Sequence, residues 1–273
     1  MSQLTYFGAA GSSSANQNLN NTYQTLGKGA AGDGKVLTAS ASLHTKGSYE
    51  PIGTPSADLA GFVLWVGPAS ASGARTIIDV RRGGASVIVQ NLYLHPGANT
   101  GWRPIYLPLN VPAGQEIDAR VQSSTGSATL RCFIEGIERN SQSAPLFSEL
   151  VALMVDTANT RAGTVDVPLT NAWTELLSST GEVFPAFMAS AGISTSNPAG
   201  VQSLTIELGT GASGSEAHLT DFPTATGSTD PRVPLSLTRA QEKPLPNARV
   251  AARILAGTPG SDNLRVGLYG LRA

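Results

Sequence analysis

The chain has 273 residues, enough for one large or two modest domains that each bury a core. Only 14% are Asp, Glu, Lys or Arg, the net charge is −1, and the charges stand singly, which excludes the basic stripe that a row of phosphates requires. The composition, with 30 glycines and 17 prolines, is turn-rich and β-leaning, and the single cysteine excludes an internal disulfide and any Cys-based metal cluster.

In chain order, residues 1–35 are dominated by Gly, Ala, Ser, Asn and Gln. Such a stretch buries too little apolar surface to offset its ordering entropy, so it reads either as a tail without fixed structure or as an extended arm that docks on a neighbouring subunit. We take it as an arm. Its start, Met1–Phe7, has no basic residue and no apolar core of signal-peptide length, so secretion by an ordinary signal is not expected. Short alternating runs follow, including Arg75–Val80, Ser86–Leu94, Glu116–Val121 and Ala128–Ile134, separated by Gly, Pro, Asn and Ser. Their length and β-branched content predict strands of a sandwich or barrel. Cys132 falls in one such run and is expected to be a buried strand thiol. The run Pro145–Val155 fits a helix or a strand, and it is far too short to cross a bilayer, so no membrane partner is expected.

The most informative feature is an internal repeat. Val111–Val121 leads through a polar turn into Leu130–Ile137, and Leu245–Ile254 leads through another into Leu264–Leu271. Arg120 then falls opposite Arg253, Leu130 and Arg131 opposite Leu264 and Arg265, and Gly136 opposite Gly270. Upstream, Tyr49 matches Trp173, and Ile77–Val80 matches Thr205–Leu208. The predicted architecture is therefore all-β: an arm over 1–35, then two tandem antiparallel β-sandwich, jelly-roll-like domains over 36–140 and 145–273.

Chemical motifs are few. Gly209, Gly211 and Gly214 have the G-x-G-x-x-G spacing of a dinucleotide turn. The helix that would present its N-terminal amides to a pyrophosphate has no room before Pro223, and the matching segment Arg81–Ser86 lacks the spacing, so we read a strand connection and expect no cofactor. His44, His95 and His218 each stand alone, no nucleophile elbow occurs, and no metal-ligand spacing is present, so neither a catalytic nor a metal site is expected. Arg120 and Arg253 are candidate contacts with a partner carboxylate or a glycan; the simpler account is an internal salt bridge or a stem packed on the sheet. Trp102, in the loop-like stretch Ala98–Pro104, is a candidate contact residue or packs over its own domain.

Two passages resemble a known family. Thr170–Ser179 followed by Leu204–Glu216, and Ile105–Thr129, are similar to a module of tailed-bacteriophage virion proteins with a Trp-bearing strand, a G-x-G-x-x-G-S-E connection and an I-P-A-G segment. The resemblance takes in most of residues 45–273. It implies a non-enzymatic virion component, a head decoration or a neck, tail or fibre attachment, assembled in the host cytoplasm. Its partners would be other capsid or tail proteins and copies of itself, with no nucleic acid. The alternative is a tail or fibre module that binds a host surface glycan through loops around Trp102 and residues 222–232.

Overall fold

The computed structural model describes residues 22–70, 75–94, 102–139, 147–154, 164–193, 202–226, 238–241, 244–256 and 263–273. The first copy of the repeat supplies β1 (Tyr23–Leu26), β2 (Lys35–Thr38), β3 (Glu50–Gly53), β4 (Leu59–Ala69), β5 (Thr76–Arg82), β6 (Ser86–Leu94), β7 (Arg103–Leu107), β8 (Ile117–Ser123) and β9 (Thr129–Glu138). The second supplies β10 (Glu149–Ala152), β11 (Thr164–Pro168), β12 (Thr174–Leu177), β13 (Ala186–Ile193), β14 (Gln202–Thr210), β15 (Ala217–Thr226), β16 (Thr238–Gln241), β17 (Val250–Ala256) and β18 (Asn263–Arg272). Among the described residues every regular element is a strand.

The connectivity is that of two jelly rolls. In the first copy one sheet runs β1-β9-β4-β7, with β2 also on β9, and the facing sheet runs β6-β5-β8-β3. In the second copy β10 and β11 share β18, followed by β13 and β16, and the facing sheet runs β12-β17-β14-β15. Successive strands thus change sheets in the same order in both copies, with the first strand split in two. This order is the double Greek key of a jelly roll. The protein consists of two tandem antiparallel jelly-roll sandwiches.

Alternation places the cores. In β8, Ile117, Ala119 and Val121 face inward while Asp118 and Arg120 point away, and β5 matches it with Ile78 and Val80 inward. The first core also holds Phe62, Leu64, Ile105 and Cys132, which is fully buried as expected. The second gathers Phe184, Phe187, Ile206, Leu208, Ile254, Val266 and Leu268.

The copies are not separate beads. β10 pairs antiparallel with β18 of its own copy and parallel with β6 of the first, through Leu150 and Val89. One nine-stranded sheet therefore crosses both halves. Leu150, Ala152, Met188, Tyr269 and Leu271 lie on the face of the second copy's β10-β18-β13 layer that joins the first core, while Phe187, Leu268 and Val266 line the opposite face. Both faces of this layer are buried, which explains why Pro145–Val155 showed no clean period.

The arm is shorter on its described side than expected: β1 and the Lys28–Gly34 bridge, counted with residues 1–35, belong to the first sandwich. Residues 1–21 lie outside the described residues. The boundary near 140–145 also lies outside them, but the chain just beyond it is tied to the first copy, because Asn110 N–H donates to the Phe147 carbonyl.

Candidate functional site

On the outward face of the first copy's β8-β5 layer, cross-strand neighbours Asp79 and Arg120 form an ion pair of 2.9 Å. Asp79 is almost fully buried and also accepts from Lys46 Nζ at 2.5 Å. Its other oxygen accepts the Asn91 backbone N–H at 2.8 Å, and Lys46 Nζ reaches Asn91 Oδ1 at 2.6 Å. Asn91 has φ 50°, a left-handed conformation that Asn tolerates better than most residues. The register slips here, Ile78 opposing Leu92 but Val80 opposing Val89, so Asp79 holds a β-bulge in β6. The Tyr49 ring takes two guanidinium groups, with Arg81 Cζ 3.9 Å and Arg120 Cζ 4.3 Å from its centroid. Arg81 in turn pairs with Asp118 at 2.7 Å.

The second copy repeats the motif with altered volumes. Arg253 pairs with its cross-strand neighbour Glu207 and lies over Trp173, with Cζ 4.6 Å from the ring centroid. Where the first copy has Arg81, the second has Gly209, and a Cβ there would meet the Trp173 ring at 2.8 Å. The larger aromatic is thus accommodated by deleting the neighbouring side chain. The other two glycines serve a turn: Gly211 and Gly214 have φ 114° and 82°. Glu216 closes that turn by accepting the Gly214 N–H at 3.1 Å and Arg249 at 2.9 Å. Desolvation acts to raise the Glu216 pKa, but the hydrogen bonds from its own backbone, Arg249 and Gly214 hold it below the usual carboxylate range. The Gly214 amide that a phosphate would need therefore already serves a carboxylate, and a strand, β15, follows the turn.

Trp102 packs over its own sandwich. Its ring meets Phe133 edge-on at 4.8 Å, Phe133 stacks on Trp65 at 5.7 Å, and Trp65 Nε1 donates to Glu135 at 2.8 Å. A Cβ on Gly67 would strike the Trp102 indole, and one on Gly34 would strike first the Cys132 carbonyl and then the indole, so Gly67 and, in part, Gly34 make room for it. Lys28 Nζ lies 5.0 Å from the Phe133 centroid. These side chains form an aromatic panel on the outward face of the β9-β4 layer.

The three residues singled out from the sequence do not converge. Arg120 and Arg253 mark the outward faces of two different sheets, and Trp102 belongs to a third. Sequence reading missed Asp79, Lys46 and Asn91; the match between Asp79 and Glu207 in the repeat was the one signal pointing to the first. Among the described residues no group of three His, Cys, Asp or Glu is placed to hold a metal ion. His218 is exposed on β15, and His44 has φ 56° with its N–H donated to the Ser123 carbonyl. His95 and residues 227–232 lie outside the described residues, while 222–226 continue β15.

The join between the copies is a second polar centre. Arg265, 1% exposed, pairs with Asp166 at 3.0 Å, and its guanidinium lies 5.9 Å from the Tyr93 centroid. Tyr93 N–H donates to the Tyr269 hydroxyl at 2.9 Å. Contacts thus tie β6 of the first copy to β11 and β18 of the second.

These features define a tandem jelly-roll protein in which Asp79, Arg120, Glu207, Arg253 and Arg265 are engaged in ion pairs within its own sheets. No family model matches the chain, and a search of curated proteins gives no match. Among solved structures it is similar to the N-terminal CBM22-1-CBM22-2 tandem domain of Xyn10C from Paenibacillus barcinonensis, at 9% identity and TM-score 0.24, covering 94% of this chain and 92% of that one. A likeness at that TM-score supports no inference about a ligand.

Proposed function

We propose that the chain is a non-enzymatic structural component of a virus particle of the tailed-phage type. It assembles in the host cytoplasm through contacts with capsid or tail proteins and with copies of itself. One observation carries this reading. Arg120, Arg253 and Trp102, the side chains offered to a ligand, are each engaged inside the chain, whereas the edge strands β1 and β15 have no further partner among the described strands. Open sheet edges are the natural means of main-chain joining between proteins. The resemblance of Ile105–Thr129 and Leu204–Glu216 to virion modules supplies the setting. The alternative, a glycan-binding tail module, rests on the aromatic panel alone, and Trp102 there is already packed against Phe133.

Quantitative mass spectrometry of purified particles from the source is the test. A fixed, stoichiometric copy number per particle is the expected result. Absence from the particle, with soluble protein retained in the lysate, overturns the reading. Glycan-array binding lost in Trp102→Ala without unfolding replaces it with the alternative.

A further inference from the structure

The join between the two jelly rolls has an unused counterpart at the ends of the chain. Inside the molecule, the first strand of the second copy, β10, adds in parallel to the free side of β6, the sixth strand of the first. The corresponding strands, β1 of the first copy and β15 of the second, end their sheets with that side open among the described strands. The chain thus carries, on opposite copies, the two halves of a contact that it already makes once.

The surfaces beside these edges correspond as well. Leu150 opposes Leu271 and Tyr23 opposes Ile137, and Leu271 and Ile137 occupy the same place in the repeat, so Tyr23 is the counterpart of Leu150. Leu150 is fully buried at the join, but Tyr23 is 58% exposed. Arg265 and Arg131 also correspond, and each pairs with an acid at 3.0 Å. At the join Arg265 is 1% exposed; Arg131 is 40% exposed on the uncovered face. On the other half, Val89 corresponds to Thr220, since Val80 opposes the first and the matching Leu208 the second. From Thr220 to Thr226 strand β15 pairs with β14 without a register shift, whereas the bulge at Asn91 interrupts β6; within that run Pro223 alone has no N–H to offer a further strand.

We infer that copies of this chain join head to tail, β1 of one chain adding in parallel to β15 of the next, with Tyr23 beside Thr220 of the neighbour. The inference deepens the assembly reading and rests on it. Such a contact is heterologous, so it closes into a ring or extends as a filament. The occupant of both free edges is one partner, a second copy of the chain, because the equivalent strands of the two copies already pair with each other at the internal join.

The test uses the full chain carrying Tyr23→Cys and Thr220→Cys, with each single variant as a control. The native thiol, Cys132, is buried and burial pushes its pKa up to about 12, so it does not compete. Mild oxidation is expected to give a ladder of covalent multimers from the double variant and a heterodimer from a mixture of the single variants. Tyr23→Lys is expected to weaken association about tenfold or more by light scattering, with the circular dichroism spectrum unchanged. An oligomer without the 23–220 crosslink overturns this geometry and leaves the assembly reading intact. A chain monomeric at every concentration overturns the inference, and the particle stoichiometry above then decides the broader reading independently.

Discussion

The same strand position meets two fates in this molecule. In the second copy the outward face of the β10-β18-β13 layer is built from Leu150, Ala152, Met188, Tyr269 and Leu271 and is buried against the first copy. In the first copy the equivalent face carries Tyr23, Trp65, Phe133, Glu135 and Arg131, with Tyr23 and Arg131 open to solvent. One repeat unit thus supplies both an interior surface and an exterior one. The difference lies in side-chain size and polarity, because the backbone connectivity is the same in both. A duplicated fold leaves its terminal surfaces uncovered, and their composition records what each has to meet.

The sharpest break of that symmetry is a lysine at equivalent places. Leu150→Lys puts an unpaired charge into the join and is expected to cost about 3–5 kcal/mol in urea denaturation. Tyr23→Lys should stay within about 0.5 kcal/mol of the parent when the chain is dissociated. Equal costs would mean that the join contributes nothing to folding.

The paired acids come next. Asp79→Ala strands Lys46 and Arg120 and frees the Asn91 amide that shapes the bulge; we expect a loss of about 3 kcal/mol, tempered by the partial exposure of both cations. Glu207→Ala releases only Arg253 and should cost about 1 kcal/mol. A larger loss in the second copy would reverse this ranking.

Tyr269 makes the join sensitive to alkali. Burial holds its phenol protonated up to about 12, whereas the unfolded side chain ionises near 10.0. Its contribution is therefore complete below pH 10 and is lost as pH rises towards 12, an effect on the order of 2–3 kcal/mol. Denaturant titrations between pH 9 and 12 should show this decline. Tyr269→Phe should flatten it while losing about 1 kcal/mol at neutral pH, because the Tyr93 N–H is left without its acceptor.

The smallest contrast is between two matched glycines. A Cβ on Gly270 would overlap the Phe184 ring, which is enclosed in the second core, whereas one on Gly136 meets the flexible end of Leu59 at 2.7 Å. Gly270→Ala should cost about 1–3 kcal/mol and Gly136→Ala less, by thermal denaturation of each.

The duplication, the strand content and the buried Cys132 were legible in the residues, because alternation and matched spacing are local signals. Arg120 and Arg253 were legible as an equivalent pair, and Asp79 and Glu207 as matched positions, but that each acid is the cross-strand partner of its arginine emerged only from the register. Trp102 was not, because the two glycines that seat it, Gly34 and Gly67, and the ring it meets, Phe133, come from distant strands. The bulge at Asn91 was not legible either, because β6 is buried on both faces over Asn91–Leu94 and offers no alternation for an inserted residue to break. The G-x-G-x-x-G spacing had a structural cause that only three dimensions show: one glycine yields to Trp173 and two turn the chain.

By itself, then, the sequence determined a repeated β module with two cores, since the spacing of apolar residues decides which face of a strand turns inward. The tertiary structure alone decided that the two modules share a sheet, because β10 has two possible neighbours and its polar backbone is satisfied by both β18 and β6. That choice depends on which surfaces meet over long separations in the chain, and no local pattern encodes it.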